Sequence, residues 1–131
     1  MAWDKRRTER LGPIEIHDVA YVIYLGLTDE ARAAGVENVA SPKLGDRFKL
    51  LRRAVLAMGR SPECEITVAS HQLSQAHAII TVLPTGGLAL IDLGSRNGCW
   101  VNGSASAVHE LKLGDEFELA RAFRFRCQPT A

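Results

Sequence analysis

The chain has 131 residues and a formal net charge of +1 at pH 7, with 47% hydrophobic and 24% charged residues. This length accommodates one domain with its own core, and the near-neutral balance argues against nucleic-acid binding, which needs a basic surface that neutralises several phosphates. No stretch approaches the roughly 18–20 apolar residues that a membrane helix requires. We therefore expect a cytoplasmic protein without nucleic-acid or membrane partners.

The three cysteines, Cys64, Cys99 and Cys127, have no C-x-x-C spacing. Neither a zinc site nor a redox motif is indicated, and reduced, mostly buried thiols in a cytoplasmic protein are expected. The acidic and polar residues at 15–18 argue against a secretory signal. No metal and no cofactor is predicted.

The first 45 residues read as an N-terminal extension that is partly disordered or helical. Residues 1–12 are charged, and the apolar run 19–27 is either a strand, which its length favours, or a buried helix. In the segment TDEARAAG, Thr28 suits a helix N-cap and Gly35 a helix end, so one or two helical turns are expected there. Residues 40–45 read as a linker.

Residues 46–128 are predicted to form an all-β domain of short strands separated by turns. The segment FRFRC at 123–127 alternates, with phenylalanines on one face and arginines on the other. A single helical turn is expected near 104–108. Spacing and turns predict an antiparallel sandwich or barrel whose function lies in its loops. The other predicted strands are RFKLLR, AVLAMGR, HAIITVL, LALID and EFELA, in chain order.

Four loop motifs occur in a characteristic order: M-G-R at 58–60, L-S-Q-A-H-A at 73–78, D-L-G-S-R-N-G at 92–98 and L-K-L-G-D at 111–115. Any one of them alone is an ordinary strand end or turn. Together, over residues 46–127, they make the chain resemble the forkhead-associated (FHA) family. That resemblance implies a β-sandwich of about eleven antiparallel strands that binds phosphothreonine peptides on the loops at one end.

The resemblance implies that Arg60 and Ser74 bind the phosphate and that Gln75 and Arg96 add contacts. A guanidinium fork suits a phosphate dianion because it gives bidentate, charge-assisted hydrogen bonds. A serine hydroxyl and loop N–H groups complete such a shell. Position 75 is often basic in the family, so the glutamine lowers the positive field, and Arg96 compensates for it.

The same resemblance implies that Asn97 holds the peptide backbone and that Gln72 reads a residue beyond the phosphothreonine. An asparagine amide carries both donor and acceptor, as peptide backbone does. Gly98 permits the positive φ that aims Asn97 outward, and Gly59 and His77 support the loops from behind. His77 is expected to satisfy a buried hydrogen bond rather than to take part in catalysis.

An enzyme is not predicted, although Ser74, His77 and Asp92 are the components of a hydrolase triad. No G-x-S-x-G elbow occurs, and a triad is defined by geometry rather than composition. Two functions stay open: binding of a threonine-phosphorylated partner in Ser/Thr kinase signalling, and a phosphorylation-independent scaffold that uses another face. Thr8, in the basic segment K-R-R-T-E-R, is a hypothetical internal ligand once phosphorylated.

Overall fold

The computed structural model of the protein describes residues 20–129, which fold into eleven strands and one five-residue helix. The predictions for residues 1–19, including Thr8, lie outside this part. No helix within it is long and apolar enough to span a membrane. The elements are β1 (Ala20–Leu27), α1 (Asp29–Ala33), β2 (Arg47–Leu50), β3 (Val55–Gly59), β4 (Ile66–Thr67), β5 (Ala78–Val82), β6 (Leu88–Asp92), β7 (Cys99–Val101), β8 (Ser104–Ala105), β9 (Val108–Leu111), β10 (Glu116–Leu119) and β11 (Phe123–Pro129).

The strands form two sheets. The six-stranded sheet has the order β2-β1-β11-β10-β7-β8, and the five-stranded sheet has the order β4-β3-β5-β6-β9. The predicted all-β sandwich of about eleven strands is confirmed. All neighbours within residues 20–129 pair antiparallel except β3 and β4, which pair in parallel.

Alternation along the strands builds the core, as β11 illustrates. Phe123 and Phe125 are fully buried, while Arg124 and Arg126 point outward and each bond Glu116 at 3.0 Å. The predicted alternation of FRFRC is thus confirmed. The Phe125 ring lies 5.3 Å from both the Tyr24 and the Phe117 rings, so residues of three strands share one aromatic cluster.

The predicted boundary near residue 45 needs correction, because β1 is an interior strand of the six-stranded sheet. It pairs with β2 on one side and with β11 on the other, and it buries Val22 and Tyr24 completely. Of the two alternatives for residues 19–27 the strand, which length favoured, is the one formed, and the predicted helical turns follow it. Thr28 Oγ1 accepts the Ala31 N–H at 3.0 Å as the N-cap. The described residues before 46 are therefore part of the sandwich.

The helical turn predicted near 104–108 is wrong. Ser104 and Ala105 form β8, which pairs with Val101 and Trp100 of β7, and β9 begins at Val108. Since Asn102 and Gly103 both take positive φ, the chain reverses there in a tight hairpin rather than coiling into a helix.

The thiols are free, as expected, and two of the three are fully buried. Burial raises the pKa of both Cys99 and Cys127 to about 12. Cys64 is partly exposed, and burial is also the main cause that raises its pKa.

Candidate functional site

Three loops meet at one end of the sandwich: 60–65 after β3, 68–77 before β5, and 93–98 between β6 and β7. We call this surface the loop end. The Arg60 N–H donates to the Ser74 carbonyl at 3.0 Å, and the Arg96 N–H donates to Ser74 Oγ at 3.1 Å. The Leu93 N–H donates to the His77 carbonyl at 3.0 Å. The motifs that are separated in sequence therefore converge around residues 74–77.

The Arg60 guanidinium is oriented by its own neighbours. Its Nε donates to the Leu73 carbonyl at 3.1 Å, and the side chain is half-buried. Within residues 20–129 neither terminal nitrogen has a hydrogen-bond acceptor or an acidic partner. The fork is therefore fixed at one nitrogen while its terminal donors remain available to an external anion.

Ser74 presents a hydroxyl whose acceptor role is already taken. Its Oγ accepts the Arg96 N–H, and its own N–H donates to His77 Nδ1 at 3.2 Å. A hydroxyl that accepts from the protein still has one proton to donate. Ser74 thus offers a donor directly after Leu73, the residue whose carbonyl accepts from Arg60 Nε.

His77 is fully buried and joins two of the loops. Because its Nδ1 accepts from Ser74, the ring proton lies on Nε2, which donates to the Gly98 carbonyl at 2.8 Å. Burial lowers the pKa of His77, opposed by the bond to Gly98 and by the charge of Asp92. The neutral ring that this tautomer requires is therefore favoured.

Arg96 and Asn97 reach across to the loop before β5. Arg96 Nη2 donates to the His71 carbonyl at 3.1 Å, and Asn97 Nδ2 donates to the Gln72 carbonyl at 2.8 Å. Trp100 Nε1 in turn donates to the Asn97 carbonyl at 2.9 Å. The expectation that Asn97 simply points outward is thus refined, because its amide donor braces the neighbouring loop.

Two glycines permit these approaches. A Cβ on Gly59 would collide with the Gln75 carbonyl and lie 3.0 Å from the His77 nitrogen, so only glycine lets these backbones come together. Gly98 has a φ of +81°, and a Cβ there would lie 3.2 Å from Trp100 Nε1. Both glycines lie at the loop contacts that the sequence assigned to structural support.

Gln75 is exposed at the edge of this cluster, and its carbonyl accepts the Ser61 N–H at 3.1 Å. Its backbone is therefore fixed beside Arg60, while its exposed side chain can be substituted without disturbing the loop. Gln72 is half-buried and lines a recess next to the loop end.

Sequence reasoning missed Ser95 and the structural role of Asp92. Asp92 Oδ1 accepts the Ser95 N–H at 3.0 Å, and Ser95 Oγ accepts the Gly98 N–H at 2.9 Å. These two bonds close the segment 92–98 on itself. The signal was available, since aspartate and serine side chains commonly bond N–H groups a few residues ahead.

The catalytic arrangement considered for Ser74, His77 and Asp92 is not formed in the described structure. The imidazole bonds the Ser74 backbone nitrogen and the Gly98 carbonyl, so the Ser74 hydroxyl has no base beside it. One possible ligand atom from each of His77, Asp92 and Cys99 lies within 4.8 Å of the others. Because both imidazole nitrogens are engaged and the Cys99 pKa is raised to about 12, this cluster suits a hydrogen-bonded core better than a metal.

A sequence model described as the FHA domain matches residues 56–120. Among curated proteins, the chain is similar to an oxoglutarate dehydrogenase inhibitor of Corynebacterium diphtheriae, 34% identical over 95 residues that cover 72% of this chain and 65% of that protein. It is also 31% identical over 80 residues to a protein of the same name from Corynebacterium glutamicum, covering 61% and 54%. The chain thus spans between about half and two thirds of these relatives.

Solved structures show the same fold. The FHA domain of a Chlamydia trachomatis protein superposes with a TM-score of 0.68 at 20% identity, covering 86% of this chain and 99% of that one. EmbR of Mycobacterium tuberculosis, solved in complex with a low-affinity phosphopeptide, gives a TM-score of 0.63 at 21% identity, covering 100% and 33%.

Proposed function

We propose that this chain, whose residues 56–120 match the forkhead-associated domain, binds phosphothreonine peptides at its loop end and acts as an interaction module rather than an enzyme. The observation that carries the proposal is that the Arg60 guanidinium and the Ser74 hydroxyl both present hydrogen-bond donors at the loop end. Arg60 Nε and Ser74 Oγ are anchored by hydrogen bonds. Within residues 20–129 the two terminal guanidinium nitrogens have no partner, and the hydroxyl has a proton to donate.

A phosphate dianion matches this pair. It offers three strong acceptor oxygens, and charge-assisted bonds from an arginine fork are about twice as strong as neutral ones. The groups are also held in place before a ligand arrives, because Arg60 Nε is tied to Leu73 and Ser74 Oγ to Arg96. Preorganisation of this kind lowers the entropic cost of binding.

Arg96 contributes to the same proposed site in two ways. Its backbone fixes the Ser74 hydroxyl, and its guanidinium lies beside the His71 carbonyl with donors to spare. Gln75 is the neutral neighbour on the other side. The proposed site therefore carries two arginines and one exposed neutral residue, Gln75, which can be substituted.

The partners proposed are threonine-phosphorylated proteins downstream of a Ser/Thr kinase in the cytoplasm. The phosphopeptide complex of EmbR supports this class of ligand. The name that the corynebacterial relatives share, oxoglutarate dehydrogenase inhibitor, supports a regulatory role in which the module contacts another protein.

Titration calorimetry of the purified protein with a phosphothreonine peptide library and the unphosphorylated library tests the proposal. We expect micromolar binding of phosphorylated peptides, about −8 kcal/mol or weaker, and none of the unphosphorylated ones. Equal affinity for the two forms would contradict the proposal.

A phosphorylation-independent scaffold is the second candidate, favoured by the outer face of the five-stranded sheet. Ala57, Ile79, Ile91 and Val108 are register partners across four strands of that face. Val108 is 57% exposed, and Val55 on the same face is 49% exposed. We call these five residues the sheet face. Phosphatase treatment would leave the binding of a partner at the sheet face unchanged, and this distinguishes the two candidates.

A further inference from the structure

A recess opens beside the loop end, between the connection that follows α1 and the loop that precedes β5. Residues 36–40 form one wall and residues 69–72 the other, around a volume of about 460 Å³. We call it the side recess. Its first wall is fixed to the core, because the Tyr24 hydroxyl donates to Asn38 Oδ1 at 2.9 Å and both Val36 and Val39 pack against the core.

The side recess is continuous with the loop end through two hydrogen bonds. His71 and Gln72, which line the recess, give their carbonyls to Arg96 Nη2 and Asn97 Nδ2. A peptide whose phosphate is held at Arg60 and Ser74 thus has this recess close to its backbone. An extended peptide advances about 3.3 Å per residue, so a side chain a few positions from the phosphothreonine comes within reach.

The lining of the side recess is mixed, with aliphatic groups, neutral polar groups and one carboxylate. Val36, Val39, Ala40 and Ala69 supply aliphatic surface, and Glu37 is the one carboxylate among lining residues that include no lysine or arginine. Lysine and arginine side chains suit such a surface, since their stems pack on aliphatic groups while the charged end stays in water near a carboxylate.

We propose that the side recess is the specificity subsite of the loop end, that it takes a lysine or arginine side chain of the phosphopeptide, and that Glu37 is the carboxylate that selects it. This rests on the proposed function, because the phosphate at the loop end brings the peptide to the recess. It gives the connection between α1 and β2, which lies outside the matched residues 56–120, a part in recognition.

The test is a set of phosphothreonine peptides with lysine, glutamine or glutamate at each of the four positions on either side of the phosphothreonine. At one position we expect wild-type protein to bind the lysine peptide about two- to fivefold more tightly than the glutamate peptide, the effect of an exposed ion pair. Glu37→Gln should abolish this difference, and Glu37→Lys should reverse it. Glu110→Lys is the matched control, since Glu110 is an exposed carboxylate on the edge strand β9.

The outcomes separate the two proposals. If every phosphopeptide binds but wild type and Glu37→Lys rank the series identically, the subsite is overturned and the proposed function stands. A wild-type preference for glutamate over lysine overturns the charge assignment. If wild type binds no phosphorylated peptide, the proposed function fails and this inference fails with it. Because Glu37 is exposed, its variants are expected to fold normally.

Discussion

The loop end and the sheet face are both exposed, but they are built from different interactions. At the loop end Arg60, Ser74 and Asn97 are each oriented by a hydrogen bond to another loop. The five residues of the sheet face share only their apolar side chains and their alignment across four paired strands. The first surface therefore presents hydrogen-bond donors and charge in fixed positions, whereas the second presents apolar area without directional contacts. Phosphate dependence is the property that tells them apart.

The largest expected effect is the loss of phosphopeptide binding in Arg60→Ala. Removing a charge-assisted hydrogen-bond donor costs at least about 1.5–3 kcal/mol, which corresponds to roughly a 10- to 150-fold rise in Kd. Calorimetry with one good phosphothreonine ligand measures it. The free energy of unfolding should change by much less, since the side chain is half-buried and makes a single bond to Leu73.

Two controls accompany that variant. Arg47→Ala removes a guanidinium from an exposed position on β2 of the other sheet, where it lies over the Tyr21 ring, and should leave the affinity unchanged. Val108→Lys alters the sheet face and should also leave it unchanged. If Val108→Lys weakens the binding of a natural partner while Arg60→Ala does not, the scaffold function replaces the proposed one.

Gly59→Ala should be the next largest change, and it acts on stability. The added methyl would meet the Gln75 carbonyl and the His77 nitrogen, both of them backbone atoms that cannot rotate away. Overpacking of this kind costs about 1–3 kcal/mol and should also displace Ser74. Urea unfolding measures the cost. Gly87→Ala serves as control, because a Cβ there has its nearest contact at 3.6 Å, and an equal loss in both variants would contradict the argument.

These variants also mark what sequence could and could not predict. The alternation of FRFRC located β11, short segments between turns located β6 and β10, and the order of the glycine-arginine, serine-histidine and asparagine-glycine motifs predicted which loops would meet. The interlocking of those loops could not be predicted, because Asn97 to Gln72 and Arg96 to His71 are contacts between segments 25 residues apart. The place of β1 was missed for the same reason: its partners β2 and β11 are set by tertiary pairing, which local composition does not report.

A phosphoserine version of a good ligand should bind several-fold more weakly. The threonine methyl contributes roughly 0.8 kcal/mol when buried, and β-branching restricts the free side chain. Paired titrations of peptides that differ in this residue alone measure the effect. Equal affinities would mean that the loop end holds the phosphate but offers no apolar contact to the methyl group.

Gln75→Arg should raise phosphopeptide affinity by about two- to fivefold, because it adds a charge beside the phosphate at an exposed position. The gain should shrink with added salt, since exposed charges are screened. Titrations at low and high ionic strength check both points. The backbone at Gln75 is held by Ser61, so the substitution should not move the loop. Weaker binding would show that the glutamine makes a specific contact with the ligand.

The smallest effect concerns Thr8 as an internal ligand, and the structure changes its expected size. From sequence alone the tether from Thr8 to residue 46 was 38 residues long, with a mean span of about 35 Å. Because β1 is part of the sheet, the tether is instead the twelve residue steps from Thr8 to Ala20. Ala20 is also at the far end of its strand: Leu27 pairs with Phe123 near the loop end, whereas Ala20 pairs with Pro129.

The internal ligand must therefore travel back along β1, about 25 Å at 3.3 Å per residue. In general, a flexible chain of twelve residues spans about 17–21 Å on average and at most about 40 Å when extended, so a linker of this length covers about 25 Å only when it is stretched. Effective concentration falls when a linker is shorter than the span it must cover. We expect phosphorylation of Thr8 to weaken binding of an outside phosphopeptide only a few-fold, as measured by calorimetry. The control is Thr8→Ala rather than a truncation at residue 45, because the truncation would remove β1. Size-exclusion at increasing dilution distinguishes an internal ligand from one bound by a second molecule. Undiminished binding by the phosphorylated chain would rule the internal ligand out.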